Sequence, residues 1–122
     1  SLTLYLNWAV NIKIFIAILV SLKIWSLNMG MLYYYIMVDP DKPDKCKLGI
    51  TTDPSSRIKA YKTAAPNCYF LHVYVIPHRE HEKRILEIVK KVVRVQSEYV
   101  HGTPSLIKNI VECYFSDNDI SY

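Results

Sequence analysis

Side chains able to act on a phosphodiester occur between positions 35 and 57. They come from two predicted strands and from the helix that follows, and they are Tyr35, Lys47, Gly49 and Arg57. Glycine leaves the backbone uncovered, so a phenol, an ammonium and a guanidinium can converge beside one gap in the surface. Ammonium and guanidinium groups form charge-assisted hydrogen bonds with phosphate oxygens. We therefore expect chemistry on a phosphate ester.

Tyr35 and Lys47 lie on adjacent predicted strands and could be cross-strand neighbours. An ammonium close to a phenol lowers the pKa of the phenol and favours the phenolate, which would suit a general base. The alternative is a lysine stem packed on a tyrosine ring at the surface of a sheet, which carries no chemistry. Both interpretations stay open at this point.

Arg57 lies in the first turn of a helix that begins at Asp53-Pro54. This is a strong start signal, because aspartate caps a helix and proline fits its first position. The guanidinium could pair with Asp53 as part of the surface, or it could hold a phosphate beside the helix N-terminus, where the helix dipole favours an anion. Tyr61 is one turn further along and would share this face, so it is a candidate for substrate contact.

Glu82 lies at the edge of the apolar stripe of a second predicted helix, because Ile85 and Leu86 follow it by about one turn. A carboxylate that faces a core is costly unless it pairs with a cation or binds a metal. Mg²⁺ takes carboxylate oxygens and keeps several waters, so one inward glutamate can be its main protein ligand. The alternative is that Glu82 reaches a lysine or arginine at the surface.

Zinc and nucleotide sites are not predicted. The run His78-Arg79-Glu80-His81 has the spacing HxEH, whereas zinc-protease helices need HExxH or HxxEH. His72 is predicted on a strand and His101 in a loop. The chain has 3 glycines and no Gly-rich phosphate loop, which argues against a nucleotide cofactor.

Hydrophobic periodicity predicts the elements that must position these residues. Alternating, β-rich runs indicate strands at 32–38, 46–51 and 69–76. Helical periodicity and start signals indicate helices at 54–62, 79–93 and 104–114. The order β-β-α-β-α-α predicts a small α+β domain, in which helices flank a three-stranded, mostly antiparallel sheet.

Composition places the chain among small globular proteins. With 122 residues, of which 51% are apolar and 21% charged, it has room for one compact domain and no sign of disorder. The net charge of +4 is mild, so nucleic acid is permitted as a partner but not demanded. The 3 cysteines are far apart and odd in number, which favours a reducing, intracellular compartment, cytoplasmic or nuclear.

Residues 1–30 differ from the rest because they hold no acid, and their charges are Lys13 and Lys23. Three interpretations stay open: an extension appended to a domain at 31–122, a membrane anchor at 2–27, or an extra helix on the domain. The apolar run between the lysines is well short of the roughly 20 residues of a membrane span. A longer span would place Lys13 near the bilayer middle, at a cost of about 3 kcal/mol.

Taken together, the pieces resemble the GIY-YIG nuclease superfamily, and most closely its compact branch in phages and large DNA viruses, which has a KIG-type second motif. The likeness covers about residues 31–115 in the expected order and spacing. The matching pieces are Tyr35-Ile36-Met37, Lys47-Leu48-Gly49-Ile50-Thr51, Asp53-Pro54 with Arg57, Glu82, and Ser97-Glu98-Tyr99-Val100. The first motif departs from the family pattern, because Tyr33 stands where glycine is usual.

The resemblance implies a role for each matching residue. Tyr35 would be a general base or hold the attacking water, and Gly49 would let the backbone approach the site. Arg57 would stabilise the scissile phosphate, and Glu82 would hold one divalent metal, Mg²⁺ or Mn²⁺. Lys47 stands in place of the second motif's tyrosine and would take over its polar role.

Two further residues have weaker counterparts in the family pattern. Glu98 would be structural or accessory, and Asn109 is a conjectural counterpart of a late asparagine. The resemblance implies a metal-dependent endonuclease that hydrolyses DNA phosphodiester bonds. The alternative is a catalytically degenerate member that binds nucleic acid or protein without cutting, and that is membrane-anchored if residues 2–27 form an anchor.

Overall fold

The protein is represented by a computed structural model, which describes residues 2–28 and 30–122, with side chains at 7–20 and 30–122. The chain divides into two compact units, residues 1–31 and residues 32–122. The first contains helix α1, Leu2–Asn28. The second contains β1 (Leu32–Val38), β2 (Cys46–Thr51), α2 (Pro54–Lys62), β3 (Tyr69–Ile76), α3 (Glu80–Lys90), β4 (Arg94–Gln96), β5 (Tyr99–His101) and α4 (Pro104–Asp117).

Helix α1 accounts for most of the described part of the first unit. Its described side chains at 7–20 are almost all exposed, including Trp8 at 62% and Phe15 at 59%. Residues 2–28 are thus helical, as two of the three interpretations of this segment require. Across the two described ranges, no helix combines the length and the apolar character needed to cross a membrane.

The second unit is built on one antiparallel sheet with the strand order β3-β1-β2-β5-β4. The predicted α+β class is confirmed, and the three predicted strands lie where the sequence places them. The predicted count of three strands is wrong, because β4 and β5 add a short hairpin at one edge.

A turn at residues 91–93 replaces the end of the second predicted helix. The sequence predicts this helix over 79–93, whereas α3 ends at Lys90. Val92, which lies within the predicted helix span, is 57% exposed, and His101, predicted in a loop, lies in β5. Val92 and Val93 continue the helical period of the sequence. Strands of three residues are too short to show an alternation that would indicate a strand instead.

Two hydrophobic clusters hold the sheet between its helices. The larger lies on the face that α3 and α4 cover, and its most buried members are Tyr34, Ile36, Cys46, Ile85, Val89, Val100, Ile107, Val111 and Phe115. The smaller lies on the face that α2 covers, and it contains Tyr35, Met37 and Cys68, with Ile58 and Tyr61 packed against them. Because successive strand residues point to opposite faces, β1 supplies one tyrosine to each cluster.

Helix α2 begins where the sequence predicts. The Asp53 carboxylate accepts hydrogen bonds from the backbone N–H of Ser56 at 3.1 Å and from its hydroxyl at 2.7 Å. Pro54 occupies the start of the helix, where a missing N–H costs nothing. The cap therefore fixes the point at which Arg57, one turn into the helix, leaves the backbone.

The shortness of β5 shapes the surface beside β2. β5 pairs with β2 at Cys46 and Lys47. In the described part of the chain, residues 48–51 consequently have no strand on that side. Side chains from both faces of the sheet can reach this gap, and a cleft opens there.

Candidate active site

The cleft beside β2 has a volume of about 280 Å³. Its walls come from β1, β2, α2, α3 and the β4–β5 hairpin. Five of the six predicted site residues line it, namely Tyr35, Gly49, Arg57, Tyr61 and Glu82. The sixth, Lys47, lies beside it. The fold thus assembles side chains from both faces of the sheet around one open edge.

Tyr35 and Tyr61 form a hydrogen-bonded pair of phenols in the cleft wall. Their hydroxyl oxygens are 2.8 Å apart, and the Tyr35 side chain is only 3% exposed. Burial raises the pKa of Tyr35 well above its ordinary value, and the hydrogen bond with Tyr61 raises it further. Tyr35 therefore keeps its proton at neutral pH, and its hydroxyl can orient a water but does not start as a phenolate.

The interpretation in which Lys47 lowers the pKa of Tyr35 is wrong, because Lys47 is not among the groups that shift it. Tyr35 lies opposite Gly49 in the β1–β2 ladder, whereas Lys47 lies opposite Met37. The ammonium of Lys47 is instead directed at the ring of Tyr61 and at the carboxylate of Glu98. The favourable charge that reaches Tyr35 comes from Arg57, and it offsets only part of the effect of burial.

Gly49 allows the Tyr35 ring to lie directly against β2. A Cβ at this position would stand 2.7 Å from Cζ of Tyr35 and 3.1 Å from its Cε2. Both separations are shorter than an ordinary van der Waals contact. The glycine is thus required by the tyrosine packed across it.

Replacing Gly49 with alanine should displace the Tyr35 phenol. We expect a loss of about 1–3 kcal/mol in the free energy of unfolding, typical of an overpacked interior, and roughly a tenfold loss of any activity that depends on this hydroxyl. Urea unfolding and an activity assay check the two effects. Gly102→Ala, which places a methyl against Ile107 and Val93, serves as the control outside the cleft. An unchanged Gly49→Ala variant would contradict the packing described for Tyr35.

Arg57 projects a free guanidinium into the cleft. Its side chain is exposed, and it forms no ion pair with any described residue. The alternative in which Arg57 pairs with Asp53 is wrong, because the Asp53 carboxylate is engaged by Ser56. The charge of Arg57 acts instead on two other cleft residues, since it offsets part of the rise that burial causes in the pKa of Tyr35 and of Glu82.

Glu82 places a half-buried carboxylate in the same cleft. Desolvation raises the pKa of Glu82, and the nearby charges of Arg79 and Arg57 offset part of that rise. Within the described residues its carboxylate makes neither a hydrogen bond nor an ion pair, so the alternative of pairing with a surface cation is not observed. Burial and freedom from partners leave this carboxylate available to a ligand.

The carboxylates that line the cleft, Glu82 and Glu98, suit a divalent ion that keeps several waters better than one that has lost all of them. Nowhere in residues 2–28 or 30–122 do three or more His, Cys, Asp or Glu side chains gather in a way that could enclose a metal. Mg²⁺ is commonly held by one or two carboxylates and keeps several waters. Glu82, with Glu98 as the second carboxylate that lines the cleft, can supply such a site.

Lys47 supports the cleft from outside. Its Nζ lies 3.0 Å from a carboxylate oxygen of Glu98 and 4.3 Å from the ring centroid of Tyr61. The Lys47 side chain is 13% exposed and that of Glu98 is 67% exposed. Burial, the largest effect, would lower the pKa of Lys47, but the hydrogen bond to Glu98 and the charges of Tyr99, Glu98 and Tyr61 together outweigh it, and the pKa is raised. Lys47 therefore stays charged and can act on the cleft through Tyr61 and Glu98.

The hairpin contributes cleft residues that the sequence reasoning missed. Val95, Ser97 and Val100 line the cleft together with Glu98, which was expected to be structural or accessory. Ser97 has a φ of 57° at the hairpin turn, a value that few residues other than glycine adopt. A polar pair between two short β-branched or aromatic runs is the signal that could have revealed this turn.

Asn109 does not line the cleft. It lies on α4 beside a different hollow, together with Ile88, Val92 and Cys113. Its conjectural match to a late family asparagine therefore has no support in the geometry of the cleft.

Comparison with known proteins identifies the family. Residues 32–115, from the first strand of the sheet almost to the end of α4, match the T5orf172 domain, a phage-type domain related to GIY-YIG/HNH-like nucleases. No curated protein and no solved structure matches the chain significantly. The expected kinship with phage-type nucleases is confirmed at this level, whereas the KIG-type branch stays a prediction. Since the match covers most of the sequence, the chain belongs to the T5orf172 domain family.

Proposed function

We propose that residues 31–122 form a metal-dependent DNA endonuclease whose active site is the cleft beside β2, with residues 1–30 as an extension. The observation that carries the proposal is the convergence of two charged groups without partners among the described residues, Arg57 and Glu82, beside the Tyr35 phenol. Free charges of both signs in one cleft are suited to a substrate with negative oxygens and to a cation that accompanies it. Membership of a family related to nucleases points to DNA as the substrate.

The chain's own residues would contribute position and charge to the hydrolysis. Arg57 would hold a non-bridging oxygen of the scissile phosphate and stabilise the charge that develops there during in-line attack. The Tyr35–Tyr61 pair would orient the attacking water, whose oxygen forms the new bond to phosphorus while the bond to the leaving sugar oxygen breaks. The water would lose its proton to solvent, and the leaving oxygen would take one from solvent. Tyr35 would act with its proton in place, because its pKa is raised.

Glu82 would hold Mg²⁺ or Mn²⁺, and Glu98, the second carboxylate that lines the cleft, would assist through a water of the ion. A divalent ion bound there would supply Lewis-acid stabilisation of the phosphoryl and leaving-group oxygens. The raised pKa of Glu82 is consistent with this role, since a carboxylate that is poorly solvated gains most from a cation.

A second candidate function is DNA binding without cleavage. It is favoured by the small number of carboxylates in the cleft and by Lys47, whose ammonium is held by Glu98 and not directed at the cleft. In this case Arg57 and the tyrosines would bind the backbone, and Glu82 would have no catalytic task.

Incubation of the full chain with supercoiled plasmid separates the two candidates. With Mg²⁺ or Mn²⁺ we expect conversion to the relaxed form, and no conversion when EDTA removes the metal. A band shift without any nicking would favour the binding module. The absence of both a band shift and nicking would contradict both functions.

A further inference from the structure

Three lysine ammonium groups surround the ring of Tyr99. The Nζ atoms of Lys42, Lys45 and Lys47 lie 5.2, 5.0 and 4.9 Å from its centroid. All three distances are within the range of a cation–π interaction. These four residues, named here the Tyr99 lysine cluster, come from the β1–β2 turn, the start of β2 and the start of β5.

Among the described residues, one of the three lysines in the Tyr99 lysine cluster forms an ion pair. Glu98 pairs with Lys47 at 3.0 Å. Lys42 and Lys45 form no ion pair with any residue that the structure describes. Ammonium groups gathered at one ring repel each other, and the ring offsets only part of this repulsion. An anion is the natural complement of such a group.

The acids of the same turn keep their negative charges, but none of them forms an ion pair with a lysine of the cluster in the described part of the chain. The Asp39 carboxylate accepts the backbone N–H of Asp41 at 3.0 Å, and the Asp41 carboxylate accepts the amide of Asn67 at 3.4 Å. Asp44 is exposed and has no ion pair among the described residues. The lysines therefore remain open to an external ligand.

The positive surface continues onto the β4–β5 hairpin. Arg94 and His101 face each other across the β4–β5 ladder. The pKa of His101 is lowered by desolvation and then by the charges of Arg94 and Lys45, which shows that these groups lie near one another. The lysines of the turn and Arg94 thus form one basic face, to which His101, with its lowered pKa, adds no charge at neutral pH.

Lys47 joins this basic face to the cleft. Its Nζ is 4.3 Å from the ring centroid of Tyr61, which lines the cleft, and 4.9 Å from that of Tyr99. Lys47 and Tyr99 are also direct partners in the β2–β5 ladder. Aromatic rings and cations therefore alternate from the cleft to the turn. Grooves that hold a polynucleotide strand combine the same two features, since rings stack on bases and cations track the backbone.

We propose that the Tyr99 lysine cluster is a flanking subsite, which binds a backbone phosphate of the same DNA strand whose scissile phosphate lies in the cleft. This inference rests on the proposed function, because it assigns the path of that function's substrate. Lys42 and Lys45 would neutralise the flanking phosphate, and Tyr99 would pack against the adjoining sugar or base. Contacts of this kind fix the position of a strand without reading its sequence.

The test compares the full chain with the double variant K42A/K45A and with K90A/K91A as its control. Lys90 and Lys91 are exposed at the end of α3, so the control loses the same charge away from the Tyr99 lysine cluster. Binding to a labelled DNA duplex is measured by fluorescence anisotropy in EDTA over a range of salt concentrations. Nicking kinetics are measured in Mg²⁺ with the same duplex.

We expect K42A/K45A to bind the duplex on the order of tenfold more weakly at 0.1 M salt, with a salt dependence shallower by about one unit for each lost phosphate contact. In nicking, KM should rise far more than kcat falls, because the lost contact lies away from the reacting atoms. The K90A/K91A control should stay close to wild type.

The wild-type chain could bind and nick DNA while K42A/K45A behaves like the K90A/K91A control. That result would overturn the subsite and leave the proposed function standing. A wild-type chain that neither binds nor nicks DNA would overturn both. Weaker binding of K42A/K45A in a chain that binds but never nicks would support the subsite and favour the non-cleaving module.

Discussion

Replacing Arg57 with alanine is expected to lower the single-turnover rate of DNA cleavage by about 10² to 10³, a typical loss when one donor to a developing oxyanion is removed. The guanidinium is exposed, lines the cleft and has no ion pair among the described residues, so its removal breaks no structural contact. The free energy of unfolding should therefore change by no more than about 0.5 kcal/mol. Cleavage of an end-labelled duplex with enzyme in excess measures the rate.

Lys59→Ala is the matched control for Arg57→Ala. Lys59 lies on the same helix, is exposed and does not line the cleft. Its replacement by alanine therefore removes the same charge as Arg57→Ala without changing the cleft. It should keep near wild-type cleavage. Near wild-type cleavage by both variants would contradict the role of Arg57, and an equal loss in both would mean that general charge, not position, explains the effect.

Replacing Glu82 with glutamine is expected to lower the rate of metal-dependent cleavage by a factor of about 10² to 10⁴. The folded protein should become no less stable. Desolvation raises the pKa of Glu82, partly offset by Arg79 and Arg57. A raised carboxyl pKa means that the ionised form opposes folding at pH 7. The neutral amide removes that cost, so the midpoint of thermal unfolding should stay level or rise. This difference should disappear as the pH falls through the ordinary carboxyl value of 4.5, where the unfolded chain is also protonated.

Metal binding gives a readout of Glu82 that does not depend on activity. Titration with Mn²⁺, followed by electron paramagnetic resonance without DNA, should show saturable binding by wild type and by Glu87→Gln, and none by Glu82→Gln. Glu87 is exposed on the same helix and controls for the change of charge. Mn²⁺ binding that survives in Glu82→Gln would remove Glu82 as the metal ligand.

Half of the candidate site could be predicted because its signals are local. Alternation places the first two strands, and Asp53-Pro54 starts the next helix, so Arg57 has one possible position relative to both. Glu82 could be placed at the edge of the core from helix phase alone, since the stripe that contains Ile85 fixes the face. The structure brings these residues to one cleft, as the pattern indicates.

The environment of Tyr35 could not be predicted because it depends on register. Lys47 and Gly49 share one face of β2, and alternation alone does not decide which of them lies opposite Tyr35. The turn sets this choice, and it places Gly49 there. The phenol is consequently buried against the backbone and its pKa is raised, where a lysine partner would have lowered it.

The outer wall of the cleft could not be predicted because β4 and β5 are held by tertiary pairing. Each has three residues, and neither is long enough to show a period. The pairing of β5 with β2 stops at Lys47, which leaves the gap where Glu82 from one face and Arg57 from the other line one cleft. A sheet extended fully along β2 would have closed the cleft.

The most direct test of the central claim is plasmid nicking by four variants of the full chain, measured side by side at one Mg²⁺ concentration. Arg57→Ala and Glu82→Gln remove cleft charges, whereas Lys59→Ala and Glu87→Gln remove the same charges from exposed positions on the same helices. We predict that nicking vanishes in the first pair and persists in the second. Nicking that persists in all four variants would contradict an active site in the cleft.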